Sequence, residues 1–290
     1  MPSPALQKYL THLYNTQGAS TNLWLDEEGR ARGRYFNSTL TSAFQPIRAG
    51  GSGDVHGNTG GNICGYEGYA RSYAANDQGL NVWKLLDHAA NDNESIELDR
   101  LCRILHAINF YRQPSSQAMD LYLTVHTRLL AAVEGNHGMA FRRILDILEL
   151  PHQHIVLQLP EITPSQRWVL NHVSDNYRRN GFRIGINASS VEQALDLLDR
   201  VRPDVVKLNA NKPIDASACT ALLRQAAATG SRVIFKRLEN ADKLQALADA
   251  LGDAPYFIQG FLLDLPKASL DTAVATLPAQ SQREAQDSAA

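Results

Sequence analysis

The stretch RVIFKRLEN at residues 232–240 decides how this chain is read. Val233, Ile234 and Phe235 are apolar in succession, the pattern of a strand covered on both faces. From Leu238 to Leu251 apolar residues return at helical spacing, and Gly252 follows as a stop. Lys236 and Arg237 therefore fall where strand gives way to helix, the place where parallel α/β folds keep their chemistry. The same grammar extends outward. Strand-length apolar runs recur as 43-AFQPI, 62-NICGYEGYAR, 121-LYLTVH, 154-HIVLQLP, 182-FRIGIN, 204-DVVKLN, 232-RVIFKR and 256-YFIQGF. Helical patterns stand between them. The segment 190-SVEQALDLLDRV opens on a Ser cap, 163-TPSQRWVLNHVSDNYRRNG runs from Thr163 to a stop at Gly181, and 216-ASACTALLRQAAATG follows suit. Eight strands in this alternation predict an α/β fold, a (β/α)8 TIM-like barrel, with a doubly wound sheet as the competitor.

Three regions stand outside the repeat. Residues 1–40 read as an N-terminal extension, a helix plus a polar segment, ahead of a barrel over 41–270. The segment 48-RAGGSGDVHGNTGGN, rich in Gly, Ser and Asn, reads as a long, mobile hairpin loop, and it lacks the residue order of a phosphate loop. Residues 271–290 are polar and read as a flexible tail. The helical pattern 78-QGLNVWKLLDHAAND could present Val82, Trp83, Leu85 and Leu86 to a partner, or cover the barrel.

Composition narrows the function classes. Of 290 residues 20% are charged and the formal net charge is −2, which gives no overall bias toward nucleic acid or a membrane surface. No window approaches the roughly 20 apolar residues of a membrane span. Cys64, Cys102 and Cys219 are far apart, without a C-x-x-C pair, and read as core fillers in a reducing compartment. A soluble, cytoplasmic protein is the expectation. His152 and His154 lie two apart with no third ligand, so zinc is disfavoured.

In a parallel barrel the active site lies at the C-terminal strand ends. Those ends carry a polar ring of Glu67, Arg71, His126, Gln158, Glu161, Asn187, Lys207, Asn209, Lys236 and Gln259. Lys207 is its most telling member, because an ammonium inside a buried strand requires an anionic partner or a ligand.

These residues resemble the EAL domain of cyclic di-GMP phosphodiesterases. The family's aromatic-Gln-Pro-Ile strand and its Gly-Tyr-Glu-Ala-Leu-x-Arg strand look like 44-FQPI-47 and 65-GYEGYAR-71. Downstream, 202-RPDVVKLN, 233-VIFKRLEN and 259-QGFLLDLP are similar to its later motifs, in order, from about Phe44 to Pro266. The resemblance implies Mg²⁺ or Mn²⁺ held by carboxylates and an Asn to activate water, chemistry that needs hard oxygen ligands. Glu67 matches the signature glutamate and Glu161 a loop-supporting one. Other ligand positions depart from the pattern: His126 replaces an Asn, Gln158 a glutamate, Asn187 and Ala188 a pair of aspartates, Asn209 an aspartate, and Lys236 a glutamate. Lys207 matches the lysine that assists the water, and Arg71 the residue that grips a phosphate.

The resemblance thus implies a degenerate member: no catalytic residue, no metal, no cofactor and no phosphodiesterase activity. It implies a regulatory protein of bacterial signalling that acts by binding. The partner would be cyclic di-GMP, held without metal by a vestigial pocket that includes Gln45 and Gln259, or a protein of unspecified identity. A weak residual phosphodiesterase is the alternative. The loop after the fifth strand looks one residue short, which leaves a homodimer open. An internal ion pair between Lys236 and Glu67, filling the vacated metal space, is the competing reading of the pocket itself.

Overall fold

In a computed structural model, the structure describes residues 3–17, 22–36, 38–51, 61–73, 92–126, 137–163, 167–212 and 215–270. The 78–92 pattern, most of the Gly-rich connection and the C-terminal tail lie outside the described residues, apart from Asp92, which opens a helix.

All eight strands read from the sequence are present: β3 (Ser38–Ala49), β4 (Ile63–Tyr73), β5 (Asp120–Thr124), β6 (Ile155–Leu159), β7 (Arg183–Ala188), β8 (Val205–Asn209), β9 (Arg232–Lys236) and β10 (Phe257–Gln259). They close into a barrel, because β3 pairs with both β4 and β10. From β4 to β10 each strand is parallel to the next, whereas β3 is antiparallel to both neighbours. The antiparallel β3–β4 pair agrees with the hairpin read from the Gly-rich connection. A parallel pair needs a crossover, usually a helix, and the Gly-rich connection 50–62 has no helical pattern, so β3 and β4 form a hairpin.

Two strands not legible in the sequence, β1 (Leu23–Leu25) and β2 (Ala31–Tyr35), continue the sheet beyond β3. They occupy what reads in the sequence as a polar segment. The hairpin is tied down by Asn109, whose amide donates to the Ala31 carbonyl at 2.9 Å and accepts from the Ala31 N–H at 2.8 Å. The helix expected at the N-terminus is there as α1 (Pro4–Gln17), with Leu6 and Tyr9 buried in the main core.

The other described helices are α2 (Asp92–Tyr111), α3 (His137–Ile147), α4 (Arg167–Arg179), α5 (Val191–Arg200), α6 (Ala216–Thr229) and α7 (Ala241–Leu251). Side chains cap three of them, the first as the sequence suggests: Ser190 accepts from the Gln193 N–H, Asp215 from that of Ala218 and Asn240 from that of Lys243. Outward-facing strand residues and the helices make one large core. Ile47, Tyr122, Val156, Val205 and Ile234 form a separate apolar plug inside the barrel. The plug fills the lower part of the barrel and leaves the polar ring above it. Among the described helices none is long and apolar enough to cross a membrane.

Gly260 shows how tightly the last turn is built. A Cβ there would lie 2.0 Å from the Leu238 carbonyl oxygen and 2.4 Å from its nitrogen, so the backbone of residue 238 packs directly on this glycine. We expect Gly260→Ala to destabilise the protein by about 3 kcal/mol or more, because backbone cannot move aside as a side chain can. The midpoint of urea unfolding measures it, and an unchanged midpoint would contradict the packing.

Candidate functional site

Period-two alternation along parallel strands points every second residue into the barrel, so the plug and the polar ring follow from the same register. Glu67 on β4 and Lys207 on β8 meet across the interior. The Lys207 ammonium, 1% exposed, donates to Glu67 Oε2 at 2.7 Å and to Gln259 Oε1 at 2.8 Å. Gln259 Nε2 donates to the same Glu67 oxygen at 2.8 Å and to Gln45 Oε1 at 3.1 Å, and Thr124 Oγ1 donates to Glu67 Oε1 at 3.3 Å. Gln45 is held in turn by donating to the Asp264 carbonyl at 2.8 Å. The anion that Lys207 requires is thus supplied from within the fold.

Gln158 lies beside the same carboxylate, and both of its amide atoms are buried without a well-formed hydrogen bond. Burial acts to raise the Glu67 pKa, but Lys207 and the amide donors outweigh it and hold the carboxyl at about 2. Glu67 is therefore ionised at any physiological pH.

Tyr69 completes this layer. Its hydroxyl donates to Gln45 Oε1 at 3.2 Å and lies 3.3 Å from Gln259 Nε2. Burial, reinforced by the Glu67 charge, pushes its pKa up, so it stays a neutral donor. This hydrogen-bonding role of Tyr69 goes unseen in the sequence; its period-two spacing from Glu67 is the available signal. Between them sits Gly68, on the outer face. A Cβ at Gly68 would come within 3.1 Å of the His106 ring, which a 2.8 Å hydrogen bond to Ser42 Oγ holds in place. His106 itself is kept neutral by burial, its pKa pushed down to about 3.

Lys236, at the end of β9, occupies a second position. Its ammonium donates to Asn187 Oδ1 at 2.6 Å, and the Asn187 amide donates to the Leu159 carbonyl at 2.9 Å. Half-burial lowers its pKa, and the neighbouring Lys207 charge lowers it further. The pairing of Lys236 with Glu67 is therefore corrected: Glu67 belongs to Lys207, and Lys236 is bonded to a neutral amide.

The remaining ring residues divide between centre and rim. His126 is buried at the end of β5, its N–H bonded to Asp99 Oδ1 at 3.1 Å, and Asp99 pairs with Arg103 at 2.6 Å within α2. Arg71 is half-buried further along β4, close enough for its charge to act on Tyr69. Asn209 is turned into its own loop, where its Oδ1 accepts from the Asn211 N–H at 3.0 Å. Glu161 is exposed and touches the centre only through its charge on Lys236. Arg237, absent from the ring expected from sequence, is exposed at the same strand end with φ +64°.

Other candidates lie elsewhere. His152 and His154 sit on a 3₁₀ turn before β6, at the opposite end of the barrel, with ring nitrogens 3.8 Å from Asp146 and 3.5 Å from Asp120. Cys102 and Cys219 are buried as core fillers, and Cys64 is half-buried. Among the described residues no group of three His, Cys, Asp or Glu is placed to hold a metal ion. A cleft of about 660 Å³ between α1, the Asp26–Gly29 turn and Leu150 is also at the N-terminal end of the strands, away from this ring.

A closed eight-stranded α/β barrel with a polar cluster at its C-terminal mouth defines the TIM-like class of fold. The family model for the EAL domain matches residues 33–266, and the chain belongs to that family. Solved structures agree on the fold. The EAL-domain protein YkuI of Bacillus subtilis, in complex with substrate c-di-GMP and calcium, is 17% identical with a TM-score of 0.61 over 80% of this chain. The match spans 56% of that protein's length. The FimX EAL domain of Pseudomonas aeruginosa bound to c-di-GMP is 15% identical, with a TM-score of 0.59 over 93% of this chain and 98% of its own. A standalone EAL protein of Vibrio cholerae in its c-di-GMP-bound form is also 15% identical, with a TM-score of 0.59, covering 80% of this chain and 94% of its own. No curated protein is a significant sequence match.

Lys207→Met would leave an ionised carboxylate unpaired inside the barrel, and we expect it to destabilise the protein by about 3–5 kcal/mol. Adding Glu67→Gln should recover most of the loss, as read from urea unfolding; an unchanged midpoint in Lys207→Met would refute the pairing. The pair also sets a pH dependence. Because the Glu67 pKa is depressed to about 2 in the folded state, its stabilisation is complete above the ordinary glutamate range and is lost as pH falls from there through about 2. Glu67→Gln should flatten the stability curve in that acid window.

Proposed function

We propose that this EAL-family protein is catalytically silent and works by binding, as a metal-independent receptor for cyclic di-GMP. The observation that carries the reading is Lys236. Its ammonium, bonded at 2.6 Å to Asn187, stands between strand ends where a hard divalent ion would need oxygen ligands. A divalent ion about 4 Å from that charge would be repelled by on the order of 8 kcal/mol at an effective dielectric of 20. Among the described residues the only carboxylate of the inner ring, Glu67, is already committed to Lys207. Gln158 and Asn187 offer neutral amides, which are weaker ligands for such ions. The residues present therefore do not fit a catalytic metal.

A binding role keeps what the pocket retains. Arg71 can offer a guanidinium fork to a phosphodiester, and Lys236 adds a second positive charge at the mouth. Lys207, by contrast, is spent internally and holds the floor of the pocket rather than the ligand. That c-di-GMP is bound by structurally similar proteins from three genera supports the choice of ligand. A second reading, a protein-interaction module, is favoured by Phe261 and Leu265, which are 60% and 61% exposed on the segment following β10.

Calorimetric titration of cyclic di-GMP, once with EDTA and once with Mg²⁺, separates these readings. We expect binding in the micromolar range or tighter in EDTA, little changed by Mg²⁺, with no hydrolysis product in either buffer. Arg71→Ala should abolish the heat and leave thermal unfolding intact. An absence of heat in both buffers would overturn the receptor reading and direct attention to protein partners. Hydrolysis in Mg²⁺ would overturn the silent one. Lys236→Glu alone should not create hydrolysis, because Gln158, Asn187 and Ala188 still lack charge; product formation by that variant would show that a single cation had been blocking a working site.

A further inference from the structure

Among the described residues, four that are not glycine adopt positive φ: Phe36, Glu149, Arg202 and Arg237. Glu149 and Arg202 lie just beyond helices α3 and α5, where a left-handed residue commonly closes a helix, and Phe36 turns the chain between β2 and β3. Arg237 is different. It lies between the end of β9 and the cap of α7, at the mouth of the barrel, with φ +64°.

The backbone around it cannot relax. The Lys236 carbonyl accepts from the Ala210 N–H at 2.9 Å, and the Leu238 N–H donates to the Gln259 carbonyl at 3.1 Å. The Leu238 carbonyl accepts from the Leu262 N–H at 3.0 Å, and Gly260 packs against the same residue. Residue 237 is thus pinned in a conformation that glycine adopts freely and a side chain does not. The strained arginine is nonetheless exposed, with no ion-pair or hydrogen-bond partner for its guanidinium among the described residues. The backbone turn serves the packing of its neighbours, but the Arg237 side chain itself contributes nothing visible to it. Strain of this kind at a site is the observation from which a functional role is argued.

Its surroundings say what the role is. Its charge acts on both Tyr69 and Lys236, and that of Arg71 also acts on Tyr69. Three cations therefore share the mouth with one exposed carboxylate, Glu161, whose charge acts on Lys236, while the anion below them is neutralised by Lys207. Resting on the receptor reading above, we infer that Arg237 is a ligand-contacting residue, its strained backbone directing a guanidinium onto a phosphodiester of the bound cyclic dinucleotide. Together with Arg71 it would hold the phosphates from two sides of the barrel, β4 and β9, replacing a metal as the counter-charge.

The test uses the full chain with Arg237→Gly, Arg237→Asn and Arg237→Lys. Glycine relieves the strain, asparagine tolerates the left-handed region, and lysine keeps the charge without the fork. Titration of cyclic di-GMP in EDTA should show affinity reduced roughly tenfold or more in the glycine and asparagine variants. The lysine variant should fall between them and the parent. The loss should shrink as salt is raised, and the melting temperature of Arg237→Gly should equal or exceed that of the parent. Parent-like affinity in Arg237→Gly and Arg237→Asn would overturn the assignment while leaving the receptor reading intact. A lowered melting temperature in both variants would also overturn it, by making Arg237 a structural residue. If the parent protein binds no cyclic di-GMP, the receptor reading fails first and this inference falls with it.

Discussion

The interior of this barrel is organised by one buried ion pair. Lys207 is 1% exposed, and an ammonium so placed needs a full set of acceptors or it would lose its proton or unfold the chain. Glu67 and Gln259 supply them, and each is then fixed by further bonds, Glu67 by Thr124 and Gln259, and Gln259 by Gln45. The pair joins β4 to β8 across the barrel, and β3 and β10 are drawn in through the two glutamines. Below it the apolar plug of Ile47, Tyr122, Val156, Val205 and Ile234 excludes water, which is what makes the pairing obligatory.

Because the pair neutralises itself, the mouth above it is governed by what remains. That is three cations, Arg71, Lys236 and Arg237, and one exposed carboxylate, Glu161, with Lys236 resting on the amide of Asn187. Tyr69, neutral and hydrogen-bonded to Gln45, stands on β4 between Glu67 of the pair and Arg71 of the mouth. The physical character of the site is therefore that of a charged rim, mostly cationic, over a closed polar base. The same ring of strand ends that could cradle metal ligands in a barrel of this kind here presents positive charge to solvent.

Much of the frame is legible without coordinates, for identifiable reasons. The strands from β5 to β9 are apolar at successive positions because helices cover them outside and side chains fill them inside, and few other arrangements of a chain produce that pattern. Ser190 announces its helix because a cap must satisfy orphan N–H groups. The β1–β2 hairpin escapes notice because its strands are short and carry charges, and it is held by Asn109 from a helix 78 positions away. The reversal of β3 follows from the character of a connection rather than from any residue within the strand.

Much of the ring of polar strand ends is readable, since the rule about barrel mouths picks out Glu67, Arg71, His126, Gln158, Glu161, Asn187, Lys207, Asn209, Lys236 and Gln259, whereas Tyr69 and Arg237 escape it. Sequence by itself determined which chemical groups are present there and that Lys207 must have an anion. It could not determine which anion, because Glu67 and Lys207 are 140 positions apart and Lys236 is an equally good partner on paper. Only tertiary structure decides such a choice, through the inward register of each strand and the depth at which each side chain enters. Lys207 comes in low enough to reach the carboxylate, while Lys236, a strand end higher, meets an amide and stays half in solvent. The backbone strain at Arg237 was likewise invisible, because it arises from hydrogen bonds made by residues 210, 259 and 262 to the neighbours of residue 237.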